Sequence, residues 1–152
     1  MGTLNTVRVS TRIDAGAHEL FVLVSEHENA MRVIEDLEEL TPLGARTRGI
    51  GARFHAVLRL GPKSVNAEIE IEELVSDRLV RWRSSHGDDR SITFEFREVE
   101  ELTAVRMTVT YERPEGLGAA LLAPVVEEAV RSRARWTLGR LRELARHDGG
   151  RT

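Results

Sequence analysis

Cysteine, the most reactive side chain, is absent from this chain. Thiol nucleophiles, disulfide frameworks, Cys-ligated zinc and iron–sulfur clusters are therefore excluded. Chemistry has to come from histidine, carboxylate, hydroxyl and cationic groups. The histidines are scattered. His18 is followed by Glu19 but has no second histidine four residues on, so it lacks the helical zinc-protease spacing. His55 falls with the polar set of an alternating segment, and His27 and His86 fall where loops at the mouth of the fold are expected. All read as surface histidines. No His/Asp/Glu group has ligand spacing, so no metal is expected. Gly49-Ile50-Gly51 lacks the third glycine of a dinucleotide loop and opens no helix, and no serine has a nucleophile-elbow context. No cofactor is expected.

Four polar candidates remain. Tyr111 places a hydroxyl at the end of the last strand, and Trp82 offers an indole N–H. Each also reads as a packing residue, Tyr111 at the edge of the core and Trp82 within it. Ser84 is inward by parity near a strand end. Arg133 lies beside Val126 and Thr137 at the edge of an apolar helical stripe. There a guanidinium can meet a ligand carboxylate or phenolate, or reach the rim and pair with an acid.

These residues matter only if secondary structure brings them together. Val7, Val9, Thr11 and Ile13 alternate with Arg8, Ser10 and Arg12, the signature of a half-buried strand. Asp14 stands where a helix N-cap belongs, before a helix from Ala15 to Ser25 with Leu20, Phe21 and Val24 inside. A second short helix is expected from about Glu28 to Ile34. Strands are then expected over Leu37–Leu43, Arg53–Leu60, Val65–Ile71 and Leu79–Ser85, and around Ile92–Phe96 and Val105–Tyr111. Gly61-Pro62-Lys63 marks a hairpin turn and His86-Gly87-Asp88-Asp89 a loop. Arg53, Arg59, Arg81 and Arg83 fall on the outer face with Glu68, Glu70 and Glu72, a solvated charge ladder and not an acid/base site. Pro114-Glu115-Gly116 ends the last strand. Leu117 to about Arg146 reads as a helix with Val126, Val130, Ala134, Leu138, Leu141 and Ala145 in one stripe, where Pro124 kinks it or marks its start.

The fold expected is α+β. A curved six- to seven-stranded antiparallel sheet wraps around a long C-terminal helix, with two short helices after strand one. One domain accounts for residues 1–146, and 147–152 reads as a disordered tail. The net charge of −3 with 31% charged residues gives no nucleic-acid signature. The acidic run Glu26–Glu39 and the basic run Arg131–Arg146 read as solvated helix faces. No 18-residue apolar stretch predicts an integral membrane segment. The N-terminal MGTLNT lacks signal-peptide character, and its match to a myristoylation pattern has no basic cluster beside it. A cytoplasmic location is expected.

Three stretches carry a family resemblance. Asn66-Ala67-Glu68-Ile69 followed by Asp77-Arg78-Leu79-Val80-Arg81-Trp82-Arg83-Ser84 is similar to a "D-A-E-I … E-R-I-A-W-R-S" pattern. Thr93-Phe94-Glu95 is similar to a "V-T-F-E" strand, and Val105 to Gly116 resembles a closing strand with a "Y-E-P-E-G" turn. With the element order, they resemble the START-like helix-grip superfamily (SRPBCC), in particular its bacterial polyketide cyclase/dehydrase and coenzyme-Q-binding START branch. Glu26-His27-Glu28-Asn29 resembles the branch's "D-x-E-N" segment, but Ala30-Met31 replaces its usual Tyr/Trp-Pro pair, and the hairpin at Gly61-Pro62 is short.

The resemblance implies a cavity between the sheet and the last helix, for ligands such as lipids, polyketides, sterols, quinones or hormones. Some members catalyse cyclisation or dehydration, and many only bind. The expected lining is Phe54, Ala56, Leu58, Ile69, Trp82, Ser84, Phe94, Phe96, Met107, Val109 and Tyr111 from the sheet, with Val126, Val130, Arg133 and Thr137 from the helix. Almost all are apolar, which suits a small hydrophobic or amphipathic ligand and leaves little for acid/base catalysis. Two alternatives stand beside this. One is a cyclase/dehydrase using Arg133, Tyr111 and Trp82. The other is a protein-interaction module docking through Arg131, Arg135 and Arg142. Whether the protein is an enzyme at all, and whether it forms a homodimer, is left open by the sequence.

Overall fold

A computed structural model of the chain describes residues 4–60, 62–84 and 90–149. The expected loop at His86–Asp89 and the last three residues of the expected tail lie outside the described residues, as does Gly61 of the expected hairpin turn. The chain runs β1 (Leu4–Ile13), α1 (Ala17–Ser25), α2 (His27–Val33), β2 (Leu37–Pro42), β3 (Arg53–Leu60), β4 (Lys63–Val75), β5 (Leu79–Ser84), β6 (Ser91–Val99), β7 (Leu102–Glu112) and α3 (Ala119–Gly149). The strands form one seven-stranded sheet in the order β1-β7-β6-β5-β4-β3-β2, antiparallel throughout. The α+β helix-grip architecture is the one the alternation calls for.

The first strand pairs with the last, Val7 opposite Val109 and Val9 opposite Met107. The chain must therefore cross the sheet to reach β2 at the far edge, and α1 and α2 make that crossing. Asp14 does not cap α1; Gly16 holds the cap position without a side-chain bond, and the helix begins at Ala17. The turn is fastened instead by the buried Thr103 of β7, whose Oγ1 donates to the Ala15 carbonyl at 2.6 Å. Glu26 takes an extended conformation between the two helices, so α2 starts at His27 and not at Glu28.

β4 is longer than its alternation suggests. Parity slips between Ile71 and Glu73, where a bulge leaves Ile71 opposite Trp82 and Leu74 opposite Val80, both pairs on the inner face. A bulge adds one residue to one strand and so resets which side chains point inward. Beyond it, the outer face carries the charge ladder. Arg81 lies 2.7 Å from Glu73, Arg83 2.7 Å from Glu72, and Arg53 3.3 Å from Glu68. Each is solvent-exposed in part, and such pairs contribute at most about 1 kcal/mol.

The inner face supplies Phe54, Ala56, Ile71, Val80, Phe94, Phe96, Val105 and Met107 to the core. Phe21 of α1 meets Phe96 edge-on at 6.4 Å. The long helix covers less of the sheet than its length allows. Among the described residues it packs on β1, β7, α1 and α2. Its buried positions Ala134, Thr137, Leu138, Leu141, Leu144 and Ala145 all lie in its C-terminal half. Gly116 and Gly118, at φ 90° and 84°, turn the chain before Ala119. Pro124 therefore sits inside the helix and does not mark its start.

Thr103→Val keeps the shape but leaves the Ala15 carbonyl without its donor. Urea denaturation of this variant is expected to show a loss of about 1–3 kcal/mol.

Candidate ligand-binding cavity

Because α3 stays on the β1–β7 side, the inner face of β2 to β5 is roofed by α1 and α2. Between them lies a cavity of about 460 Å³. Its walls are Val24 of α1, Ala30 and Val33 of α2, Leu37 and Leu40 of β2, and Ala56 and Leu58 of β3. Val65, Ala67 and Ile69 of β4, Trp82 of β5, Ile92 and Phe94 of β6, and Val109 and Tyr111 of β7 complete the apolar wall. Polar residues border one end. Ser84, opposite Ile69, points inward and Arg90 lies nearby. Asn66, Glu68, Arg83, Ser91 and Thr110 border that end from strands whose alternation turns their side chains outward, Asn66 to His55, Thr110 to Thr6 and Arg83 to Glu72. A roomier groove of about 1270 Å³ lies elsewhere, bordered by Ser10, Arg12, Asp77, Arg78, Glu95, Arg97 and Arg106. It also touches Ala17, Val75, Leu79, Phe96 and Val105 but is open and mixed in character, whereas the inner cavity is lined mostly by apolar side chains.

Of the expected lining, Ala56, Leu58, Ile69, Trp82, Ser84, Phe94, Val109 and Tyr111 come together around the cavity. Phe54, Phe96 and Met107 are buried in the surrounding core and are not part of its wall. The α3 residues Val126, Val130, Arg133 and Thr137 are also outside the wall, because the buried part of α3 lies over β1 and β7. The Arg133 guanidinium is 3.6 Å from the Asp36 carboxylate, and its side chain is 43% exposed. It does not converge with Tyr111 and Trp82.

The two aromatic handles differ. Trp82 Nε1 donates to the Val24 carbonyl at 2.9 Å, which satisfies one of the carbonyls left open at the end of α1. The indole is thus committed to structure, and its ring is wall. The Tyr111 hydroxyl accepts from Asn5 Nδ2 at 3.4 Å. Among the described residues, its own proton has no acceptor, and Tyr111 lines the cavity. A phenol in this position can donate to a carbonyl or hydroxyl oxygen of a bound molecule. The strand carrying Glu68 borders the cavity, but the Glu68 carboxylate is on the outer face, 3.3 Å from Arg53.

His27 departs from the expected exposed loop residue. It opens α2, its ring lies 5.0 Å from Phe54, and its buried Nδ1 is 3.4 Å from Glu28 without hydrogen-bond geometry. It props Phe54, which in turn meets Trp82 at 5.5 Å. His55 pairs with Asn66 and His18 with Asp77, both exposed. The helical half of the wall was not anticipated beyond Val24. Its signal is the apolar set Ala30, Val33, Ile34 and Leu37, spaced i, i+3, i+4, i+7. Among the described residues, no cluster of three or more His, Asp or Glu forms a metal-binding group. No helix there is long and apolar enough to cross a membrane.

Residues 5–146 match the family described as polyketide cyclase/dehydrase and lipid transport, and the chain belongs to that family. Among solved structures it is similar to TTHA0849 from Thermus thermophilus. That match has 24% identity and a TM-score of 0.76, covering 91% of this chain and 95% of the other. It is similar to the Zhui aromatase/cyclase from Streptomyces sp. R1128, at 12% identity and TM-score 0.76, covering 95% and 94%. It is also similar to Ara h 8.0201, at 11% identity and TM-score 0.70, covering 94% and 98%. These likenesses are of fold. No curated protein matches the chain.

The geometry separates two tryptophan and arginine roles that the sequence leaves together. Trp82→Phe is expected to cost about 1–3 kcal/mol, because the buried Val24 carbonyl loses its donor. Arg133→Ala is expected to cost under about 1 kcal/mol, since its ion pair is exposed. Urea midpoints of the two variants measure both.

Proposed function

We propose that this protein binds a small hydrophobic or amphipathic molecule, of lipid, polyketide or quinone-like character, in the cavity between β2–β7 and the α1–α2 roof. The observation that carries this reading is the cavity itself. At about 460 Å³ it falls within the roughly 300–1,000 Å³ range of small-molecule sites. Its wall is aliphatic and aromatic except at one end, where Ser84 offers a hydroxyl. An amphipathic ligand lies with its apolar body against Val33, Leu58 and Phe94 and its polar group toward that end or toward Tyr111. The family's own description, which couples cyclase/dehydrase chemistry with lipid transport, supports ligands of this class. In this reading the protein acts in the cytoplasm, where a cysteine-free chain needs no oxidative maturation.

A cyclase/dehydrase reading draws on the family description and on Tyr111. A hydroxyl donor polarises a ketone oxygen and so assists enolisation or dehydration. Such a reaction also needs a group that takes up a proton near the reacting carbon. Among the described residues the lining offers no histidine, and Glu68 is tied to Arg53 on the outer face. Arg133, the residue that would have strengthened this reading, pairs with Asp36. Binding without turnover is therefore the better-supported function.

The test is titration of purified protein with N-phenyl-1-naphthylamine, an apolar probe that fluoresces out of water. Wild type is expected to bind it saturably. Ala67→Trp and Leu58→Trp, which place an indole in the cavity from partly buried positions, are expected to weaken binding about tenfold or more with thermal unfolding still cooperative. Unchanged probe affinity in both folded variants contradicts the reading.

A further inference from the structure

The first half of α3 is amphipathic in the wrong direction for a helix packed on a sheet. Leu121 is 81% exposed, Val125 64%, Leu122 51% and Trp136 46%. At 100° per residue these four, with the exposed Ala129 and Ser132, fall within an arc of about 100°. The buried stripe of Ala134, Thr137, Leu138, Leu141 and Ala145 lies on the other side. The exposed stripe spans about four turns, roughly 22 Å from Leu121 to Trp136. Exposed leucines occur singly on many surfaces, but a contiguous apolar row ending in tryptophan marks an interaction site.

The surroundings of the row indicate its partner. Arg133 and Arg135 flank its Trp136 end on either side, and Arg140 and Arg146 follow further along the helix, by the same projection. Glu128 is at one edge, and Glu143 lies beyond Trp136. Over the whole helix Arg131, Arg133, Arg135, Arg140, Arg142 and Arg146 outnumber Glu127, Glu128, Glu143 and Asp148, although the chain as a whole has net charge −3. Several of these arginines pair on the surface, as Arg135 does with Glu128 at 3.9 Å and Arg140 with Glu143 at 3.2 Å. Exposed pairs of this kind leave the net positive charge of the segment in place. A second copy of the chain is a poorer occupant, since one narrow helix face falls short of the about 800 Å² per partner that stable dimers bury. An apolar row with tryptophan, bordered by arginines, has the composition of a helix that lies in the plane of a lipid–water interface.

We infer that the exposed row of α3, from Leu121 to Trp136, docks the protein on an anionic lipid surface. Leu121, Leu122, Val125 and Trp136 enter the acyl boundary, and the bordering arginines meet lipid phosphates. The helix follows the cavity-lining end of β7 after a short loop. Docking through it therefore holds the cavity-bearing domain against the phase in which an apolar molecule is soluble. This inference goes beyond ligand binding and is scored without any ligand.

The experiment is flotation of the full chain with phosphatidylcholine vesicles, with and without phosphatidylglycerol. Wild type is expected to float with the phosphatidylglycerol vesicles and several-fold less with phosphatidylcholine alone. Its Trp136 emission is expected to shift to the blue, and Trp136→Phe, which leaves the buried Trp82, is expected to abolish that shift. The triple variant Leu121→Ser, Leu122→Ser, Val125→Ser changes only exposed positions and is expected to lose about tenfold or more of the vesicle-bound fraction. Ala67→Trp, altered only in the cavity, is expected to float as wild type does, so failure here and failure of the cavity reading are told apart. Wild type that stays unbound with both vesicles overturns the inference, as does equal flotation on both. A triple variant that floats like wild type also overturns it. So does sedimentation equilibrium showing a dimer that the triple variant dissolves while vesicles leave it intact, which assigns the row to a second copy.

Discussion

One apolar sheet face has to be kept from water by three helices, and they do not divide it evenly. The core of a domain this size is stable only if most of its apolar surface is buried. α3 buries its C-terminal half against β1 and β7, and α1 and α2 roof the rest. The short helices are too small to fill the concavity beneath them. Ala30 and Val33 face Ala56 and Leu58 across open space. The cavity follows from this shortfall, and both the proposed ligand site and the exposed N-terminal half of α3 follow from where the long helix sits.

The roof is tied down at few points. Trp82 bonds the end of α1 to the middle of the sheet, and Thr103 bonds the β1–α1 turn to β7. Arg133 joins α3 to Asp36, a residue at φ 65° in the turn after α2, and Arg140 donates to the Arg32 carbonyl at 3.1 Å. The first two are buried, and losing either leaves an unsatisfied carbonyl. The last two are exposed and weak. The α1 side of the roof is accordingly firm, while α2 and the β2 edge are held by contacts of lower energy.

Period-two alternation made the sheet legible, because each of Arg53–Leu60 and Val105–Tyr111 has one wet and one dry face. It failed at Ile71–Leu74, where a bulge resets parity without any marker such as glycine. The helix boundaries shifted by a residue or two because Gly16, and not Asp14, holds the α1 cap. Parity told which sheet residues face inward, Trp82 and Tyr111 among them, but not that Phe54, Phe96 and Met107 pack in the core outside the cavity wall. The helix side of the cavity was not legible. A stripe such as Val126, Val130 and Arg133 tells which face of a helix is inward but not how far along a sheet that helix lies. That distance is set by the loop through Gly116 and Gly118 and by packing against α1 and α2, both long-range facts. Whether His27 is solvated or packed on Phe54 has the same cause.

The cavity, and not the core beneath α3, is the proposed place of an apolar molecule. Methyl-resolved NMR during titration with a medium-chain alkylphenol tests this directly. The expected result is saturable, concerted shifts of Ala30, Val33, Leu58, Ile69 and Val109 methyls, with Leu138 and Leu141 unmoved. Shifts that never saturate, or that centre on Leu138 and Leu141, contradict it.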